Sequence, residues 1–157
     1  MKIKLLTIGK TDDKNLQQLI AMYEKRLKHY IKFEIEIIPD IKNAKKLSEK
    51  QQKEKEGELI LKKIQTFDYL VLLDEKGEQF RSKTFAVYLQ KKMNLGIKQL
   101  VFVIGGPYGF SETVYQHSKA KISLSKMTFS HQMIRLFIVE QIYRGFTILK
   151  NEPYHHE

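Results

Sequence analysis

The sequence predicts a single α/β domain built on a parallel β-sheet with helices on both faces. Tyr69–Leu73 and Leu100–Ile104 are continuous apolar runs, which are typical of strands buried on both faces. Segments with helical periodicity alternate with the strand patterns, and this alternation indicates βαβ units. A chain of 157 residues suits one domain, and we assign residues 1–157 to it.

The first third of the chain predicts a strand, a helix and a second strand. Lys2–Ile8 is a strand candidate that ends at Gly9. Either Asp12 or Asp13 is expected to cap the helix that follows. Phe33–Ile37 alternates apolar and charged side chains, so we expect a half-exposed strand there.

The charged segment in the middle of the chain predicts a helix from Ser48 to about Ile64. Ser48 and Gln51 have the spacing of a capping box, which marks a helix start. The first half of this helix is almost wholly polar, so we expect it to project into solvent. Beyond the first buried strand, Asp74–Gly77 predicts a polar turn.

The last third of the chain predicts two capped helices, a short strand and a long helix. Ser82 is expected to cap a helix that ends at Gly96, and Ser111 a shorter one. Lys121–Leu124 predicts a short strand, and 131–150 a long helix that is apolar nearly all round. Because such a helix must be buried, and the chain is small, we expect a homodimer with this helix near the interface.

The composition favours a polyanionic partner. Lys and Arg number 28 against 18 Asp and Glu, a net charge of +10, and basic side chains displace the counterions condensed on phosphates. Solubility is the alternative explanation of this charge.

The absence of cysteine excludes disulfides and cysteine-ligated metals. No window is apolar enough for a membrane span and the N-terminus lacks a signal-peptide pattern, so we expect a cytoplasmic protein.

The motif Gly105-Gly106-Pro107-Tyr108-Gly109 directly follows the second buried strand. Glycines let the backbone approach a ligand closely, and open α/β sheets bind ligands beyond the carboxyl ends of their strands. A tight strand-to-helix turn explains the same residues equally well. The spacing differs from the dinucleotide fingerprint and lacks the Lys-Ser/Thr of a P-loop, so ATP hydrolysis is not expected.

The loop at 125–130 is a second candidate binding segment. Its backbone groups are free to hold an adenine or an amino acid, although an ordinary loop with Ser130 as a helix N-cap is favoured on these residues alone. His131 can act as a base near neutral pH, while a structural hydrogen-bonding role is more common for a histidine at a helix start.

Charged and aromatic residues near the C-terminus are candidates for holding a nucleotide. Glu140 and Arg144 are four residues apart on the predicted helix, which favours an ion pair within the helix and also allows a charge pair aimed at a phosphate or base. Arg135 is a further phosphate candidate. Tyr154 can stack on a base and His155 can contact phosphate. The histidines lack a third ligand nearby, so no metal is expected.

Four segments together resemble the RlmH (YbeA-like) family of SPOUT methyltransferases. They are Val103–Gly109, Leu124–His131, Glu140–Arg144 and Pro153–His155. The resemblance spans the whole chain and implies the SPOUT fold with a C-terminal trefoil knot, in a homodimer. It also implies methylation of N3 of a pseudouridine in 23S ribosomal RNA within the ribosome, with S-adenosyl-L-methionine as the cofactor and no metal.

The resemblance also implies which residues form the site. The cofactor contacts are expected at Leu73, at Gly105 and along the loop, at Leu124, Ser125, Lys126, Met127, Thr128 and Phe129. Members of the family commonly have proline where Ser130 stands, which bears on the rigidity of this loop.

The implied reaction leaves the roles of the catalytic candidates open. The N3 proton has to be removed, and His131, Glu140 or water can accept it. Arg144, Tyr154 and His155 are expected to hold the nucleotide. A non-enzymatic RNA-binding or ribosome-assembly protein on the same fold is the alternative, and binding of S-adenosyl-L-methionine separates the two.

Overall fold

The centre of the molecule is a sheet of five strands, in a computed structural model that describes residues 1–156. The strands are β1 (Lys2–Ile8), β2 (Lys32–Ile38), β3 (Asp68–Gln79), β4 (Gln99–Ile104) and β5 (Ala120–Ser123). They lie in the order β2-β1-β4-β3-β5, and every neighbouring pair is parallel. The parallel sheet predicted from the sequence is therefore confirmed.

Four α-helices connect the strands, and a fifth follows the last strand. They are α1 (Lys14–Leu27), α2 (Glu49–Leu61), α3 (Ser82–Asn94), α4 (Glu112–His117) and α5 (His131–Leu149), with a short 3-10 helix at Ala44–Lys46. The first, third and fifth helices contribute to the core on one face of the sheet, and α2 and α4 to the core on the other. No helix within residues 1–156 is long and apolar enough to cross a lipid bilayer.

The apolar run of β4 follows from its central position. All six of its residues are buried, with Phe102 in the core beneath α3 and α5 and Val103 in the core beneath α2 and α4. Burying one large apolar side chain stabilises the fold by roughly 1.5–3 kcal/mol. A strand covered on both faces gains this at each of the five positions Leu100–Ile104, which explains the absence of polar alternation there.

Several helix ends lie where their capping residues predict. Asp13 rather than Asp12 caps α1, since its carboxylate accepts from the amide of Leu16 at 2.9 Å. Ser48 forms the predicted capping box of α2. Gly96 follows α3 with φ +70°, a conformation that favours glycine at a helix C-terminus.

The predicted turn at Asp74–Gly77 is wrong, because β3 continues through it to Gln79. Leu73 and Glu78 both pair with Ile122 of β5, so the four residues between them bulge away from the ladder. A Cβ at Gly77 would lie 2.5 Å from the backbone of Ile122, so only glycine fits there. The polar composition favours a turn locally, but pairing with a distant strand extends the element.

Two further predictions need correction. Arg81 occupies the N-cap position of α3, and Ser82 is instead its first residue, with Oγ donating to Oε1 of Gln141 at 3.3 Å. The polar first half of α2 is not wholly in solvent, because Glu56 is only 2% exposed. Position along the chain does not reveal which face of a charged helix turns inward. The trefoil knot stays a prediction of the resemblance.

Candidate functional site

A cavity of about 570 Å³ lies beyond the carboxyl ends of β3, β4 and β5. Three chain segments supply most of its wall, at 73–76, 104–110 and 122–129. The first is the bulge within β3, and the other two are the ends of β4 and β5 with the loops that follow them. Parallel strands bring their carboxyl ends to one edge of the sheet, and this edge is where open α/β sheets bind ligands. The sheet order therefore assembles the cavity from residues that are distant in sequence.

The glycine motif forms both a turn and a wall of this cavity. The amide of Gly109 donates to the carbonyl oxygen of Gly106 at 3.2 Å, and Gly109 has φ +79°. A Cβ at Gly105 would lie 3.0 Å from the ring of Phe110. The two explanations left open by the sequence are thus compatible, because the tight turn itself lines the cavity.

The loop after β5 supplies the opposite wall. Leu124, Ser125, Met127, Thr128 and Phe129 all line the cavity. Within this loop the hydroxyl of Ser125 accepts from the amide of Met127 at 2.9 Å, which closes a local turn. With Leu73 and Gly105, seven of the eight residues implied as cofactor contacts lie around one space.

Lys126 is the exception among those eight residues. It is exposed and does not line the cavity, although both of its neighbours do. Lys53, which sequence reasoning did not single out, lines the cavity from α2. A polar helix gives no signal in the sequence for which of its lysines turns toward a cavity.

His131 begins α5 and lines the same cavity. Desolvation of the imidazole lowers the pKa of His131 below its usual 6.5, and the guanidinium of Arg135 is the second cause. At about pH 7 the ring is therefore predominantly neutral and able to accept a proton.

A second cluster of polar residues lies farther along α5. Oε1 of Glu140 accepts from Nη2 and Nε of Arg144 at 2.6 and 3.0 Å, which confirms the predicted ion pair within the helix. The same oxygen accepts from the hydroxyl of Tyr154 at 3.0 Å. Nη1 of Arg144 lies 3.4 Å from Nδ1 of His155. Four of the five catalytic candidates are therefore in mutual contact.

Aromatic rings surround this cluster. The ring of Tyr143 packs edge-on against that of Tyr154 at 4.8 Å, and the hydroxyl of Tyr23 lies 3.1 Å from that of Tyr154. Arg26 lies over the rings of Tyr23 and Tyr143 at 5.4 and 5.7 Å. Tyr30 donates to a carboxylate oxygen of Glu152, and this contact raises the pKa of Tyr30 to about 12.

The cluster includes residues that motif reasoning assigned no role. Tyr23, Tyr30 and Arg26 come from the first helix and the turn after it, more than a hundred positions before the C-terminal segment that they contact. Their sequence signal is a set of aromatic residues at helical spacing, and such a pattern normally indicates core packing.

The two parts of the site are separated along one helix. His131 and Glu140 are nine residues apart, which places them about 14 Å apart along the axis at about 1.5 Å per residue. The structure therefore does not bring His131 together with the Glu140 cluster within one chain.

Arg135 is not available as a phosphate ligand. It is 4% exposed and donates to the carbonyl oxygen of Ile8 at 2.7 Å and to Oγ1 of Thr11 at 2.9 Å. Oε1 of the neighbouring Gln132 accepts from the amide of Asp12 at 3.0 Å. These bonds attach the start of α5 to the loop after β1. Within residues 1–156, no group of three or more His, Asp or Glu side chains is placed to hold a metal ion.

Comparison with known proteins agrees with the geometry. "Ribosomal RNA large subunit methyltransferase H" of Flavobacterium psychrophilum is 71% identical over 157 residues, and its counterpart in Flavobacterium johnsoniae is 69% identical, with both chains covered completely in each comparison. A solved methylase family protein from Haemophilus influenzae has the same fold, with a TM-score of 0.51 at 12% identity, over 99% of this chain and 70% of that one. The family model described as "Predicted SPOUT methyltransferase" matches residues 1–155. The chain therefore belongs to the SPOUT methyltransferase family.

Proposed function

We propose that this protein uses S-adenosyl-L-methionine to methylate N3 of a pseudouridine in 23S ribosomal RNA. The observation that carries the proposal is the cavity at the edge of the sheet, where the glycine turn faces the loop after β5. The relatives of highest identity described above are named as methyltransferases of the large-subunit ribosomal RNA. The net charge of +10 suits such a polyanionic substrate. A ribosomal substrate supports a cytoplasmic location for the protein.

The residues around the cavity fit the cofactor. A volume of about 570 Å³ lies within the usual range for small-molecule sites. Leu73 and Phe129 offer apolar surface for an adenine ring, while Gly105 and Ser125, which also line the cavity, offer backbone hydrogen-bonding groups. When bound, S-adenosyl-L-methionine supplies an electrophilic methyl group, so no metal is required. The protein contributes by orientation, which is worth many kcal/mol in such transfers.

His131 is the better placed of the two candidate bases. It lines the cavity, and its lowered pKa keeps the imidazole able to accept the N3 proton at about pH 7. Glu140 is already engaged by Arg144 and Tyr154, so its carboxylate organises the second cluster rather than taking a proton. That cluster presents a guanidinium beside an aromatic ring, a combination that suits a phosphate and a stacked base.

The separation of the two parts of the site supports a homodimer. Since about 14 Å along α5 lies between them, a second subunit is the economical way to bring a nucleotide cluster to a cofactor cavity. Leu19 and Met22 on α1 are 42% and 36% exposed, and they offer apolar surface beside α5. The double variant L19E/M22E is expected to shift the protein from dimer to monomer in light scattering, whereas a wild-type monomer overturns this part of the proposal.

The deciding experiment is a radiolabelled methyl-transfer assay on ribosomes with and without the pseudouridine. Methylation of only the pseudouridine-containing ribosomes supports the proposal, and methylation indifferent to the modification overturns it. Free 23S RNA and transfer RNA in parallel define the substrate. Calorimetry with S-adenosyl-L-methionine tests the alternative of a non-enzymatic RNA-binding protein, which predicts no heat from a folded sample.

A further inference from the structure

Glu56 is a buried carboxylate that the proposed chemistry does not use. It lies on α2 and is 2% exposed. Nε2 of Gln52 donates to its Oε1 at 2.9 Å, while Oε2 has no hydrogen-bonding partner within the described chain. Burying a carboxyl group with so little compensation costs free energy. Because burial of this carboxyl group is unfavourable, we expect Glu56 to have a structural role in a neighbouring segment.

The carboxyl group lies directly behind the glycine motif. A Cβ at Gly106 would lie 2.2 Å from Oε2 and 2.5 Å from Oε1 of Glu56, so the carboxyl occupies the space of the missing side chain. Burial raises the pKa of Glu56, and the adjacent backbone of Gly106 opposes this shift only in part. The other side of the same glycine lines the cavity.

A second contact attaches α2 to the same segment. A Cβ at Gly57 would lie 2.3 Å from Oγ of Ser111, the residue that caps α4. Glu56 and Gly57 of α2 therefore contact the segment 105–111 near its start, at Gly106, and at its end, at Ser111. Lys53, one turn before Gly57, lines the cavity itself. The turn of α2 from Lys53 to Gly57 thus lies against the cavity wall.

We propose that Glu56 is a positioning residue that holds the Gly105–Gly106 backbone in the shape that the cofactor cavity requires. The inference rests on the proposed function for the identity of the ligand, and on the structure alone for the contact. Glu56 touches neither cofactor nor substrate, so it acts through the glycine motif.

Three variants test this role from the side of α2. E56A removes the support, E56Q keeps its shape, and E54A is the matched control, because Glu54 is an exposed glutamate on the same helix. Hydrogen–deuterium exchange across 105–111 reports on the contact without any ligand. We expect E56A to accelerate exchange there and to raise the Kd and KM for S-adenosyl-L-methionine about tenfold, with kcat changed less. E56Q and E54A are expected to remain close to wild type.

A fourth variant tests the contact from the other side. G106A places a methyl group where the carboxyl lies, so it is expected to weaken cofactor binding even if E56A fails to fold. The double variant E56A/G106A removes the clash and is expected to bind more tightly than G106A alone. A role limited to overall stability predicts that the rescue appears only in the free energy of unfolding, with the Kd for S-adenosyl-L-methionine unchanged in every folded variant.

The possible failures are distinguishable. Wild-type exchange at 105–111 and wild-type cofactor affinity in a folded E56A or G106A overturn the positioning role. A wild-type protein that binds no S-adenosyl-L-methionine overturns the proposed function, while the exchange comparison still decides whether Glu56 holds the glycine motif.

Discussion

The hydroxyl of Tyr154 donates a hydrogen bond of 3.0 Å to Oε1 of Glu140, and the same oxygen accepts a hydrogen bond from Arg144. Burial raises the pKa of Tyr154 above its usual value, with its bonds to Tyr23 and Glu140 as further causes, so the hydroxyl stays protonated at working pH. One carboxylate oxygen therefore attaches the C-terminal segment to α5.

Replacing Glu140 with glutamine is expected to reduce methyl transfer about tenfold to a hundredfold. Hydrogen bonds to a charged group contribute about 1.5–3 kcal/mol, and E140Q weakens those that hold Arg144 and Tyr154. We expect the loss in the KM for the ribosomal substrate, with an unchanged Kd for S-adenosyl-L-methionine. E112Q, at an exposed position of α4, is the control, and equal losses in both variants contradict the assignment.

Removing the ring of Tyr154 is expected to weaken RNA binding more than removing its hydroxyl. Y154F keeps the ring that lies 4.8 Å from the guanidinium carbon of Arg144, whereas Y154A also removes the surface on which a base can stack. Stacking on one aromatic side chain contributes about 1–3 kcal/mol. Fluorescence anisotropy with a ribosomal RNA fragment measures the difference, and equal affinity of the two variants excludes a stacking role.

Substitutions at Ser130 are expected to separate capping from backbone rigidity. Oγ of Ser130 accepts from the amide of Met133 at 3.3 Å, so S130A is expected to lower the free energy of unfolding by about 1 kcal/mol. S130P is expected to recover part of this loss, because φ at Ser130 is −62° and the proline ring restricts the unfolded chain to such values. Urea denaturation compares the three proteins. If S130P is less stable than S130A, the backbone of the loop is incompatible with a proline ring at position 130.

The stability of E56Q relative to wild type is expected to increase with pH. Burial raises the pKa of Glu56 above 4.5, and repulsion by Asp40 adds to this, against the hydrogen bond from Gln52 and the nearby backbone of Gly106. The native state then holds its proton more tightly than the unfolded state, so the contribution of Glu56 is present below about pH 4.5 and is lost as the pH rises through the raised value. The glutamine side chain does not titrate, so E56Q lacks this pH-dependent contribution. Denaturation at about pH 4 and about pH 8 measures the free energy of unfolding of E56Q minus that of wild type, and a difference that falls as the pH rises refutes the prediction.

The fold was largely predictable because its signals are local. The apolar run Leu100–Ile104 and the capping box at Ser48 depend on a few neighbouring residues, and both predictions are confirmed. The extension of β3 through Asp74–Gly77 depends instead on pairing with Ile122, some fifty positions away. No local pattern contains that information, so the polar composition indicated a turn.

The site was predictable in its parts but not in its arrangement. The resemblance placed cofactor residues at Gly105 and Phe129, and the sheet brings both to one cavity. No local pattern indicated that Arg135 is buried against the loop after β1, because an arginine on a helix is usually exposed. Glu56 was equally hidden, since only its contact with Gly106 distinguishes it from the exposed glutamates of the same helix.

The bulge between Leu73 and Glu78 has a thermodynamic consequence. Its residues line the cavity, and Gly77 at its end touches the backbone of β5, so one segment is at once a ligand-contacting surface and an attachment for an edge strand. A small molecule that binds only this arrangement stabilises it in proportion to the logarithm of its concentration. Under the proposed function, the concentration of S-adenosyl-L-methionine therefore also sets how stably β5 pairs with β3.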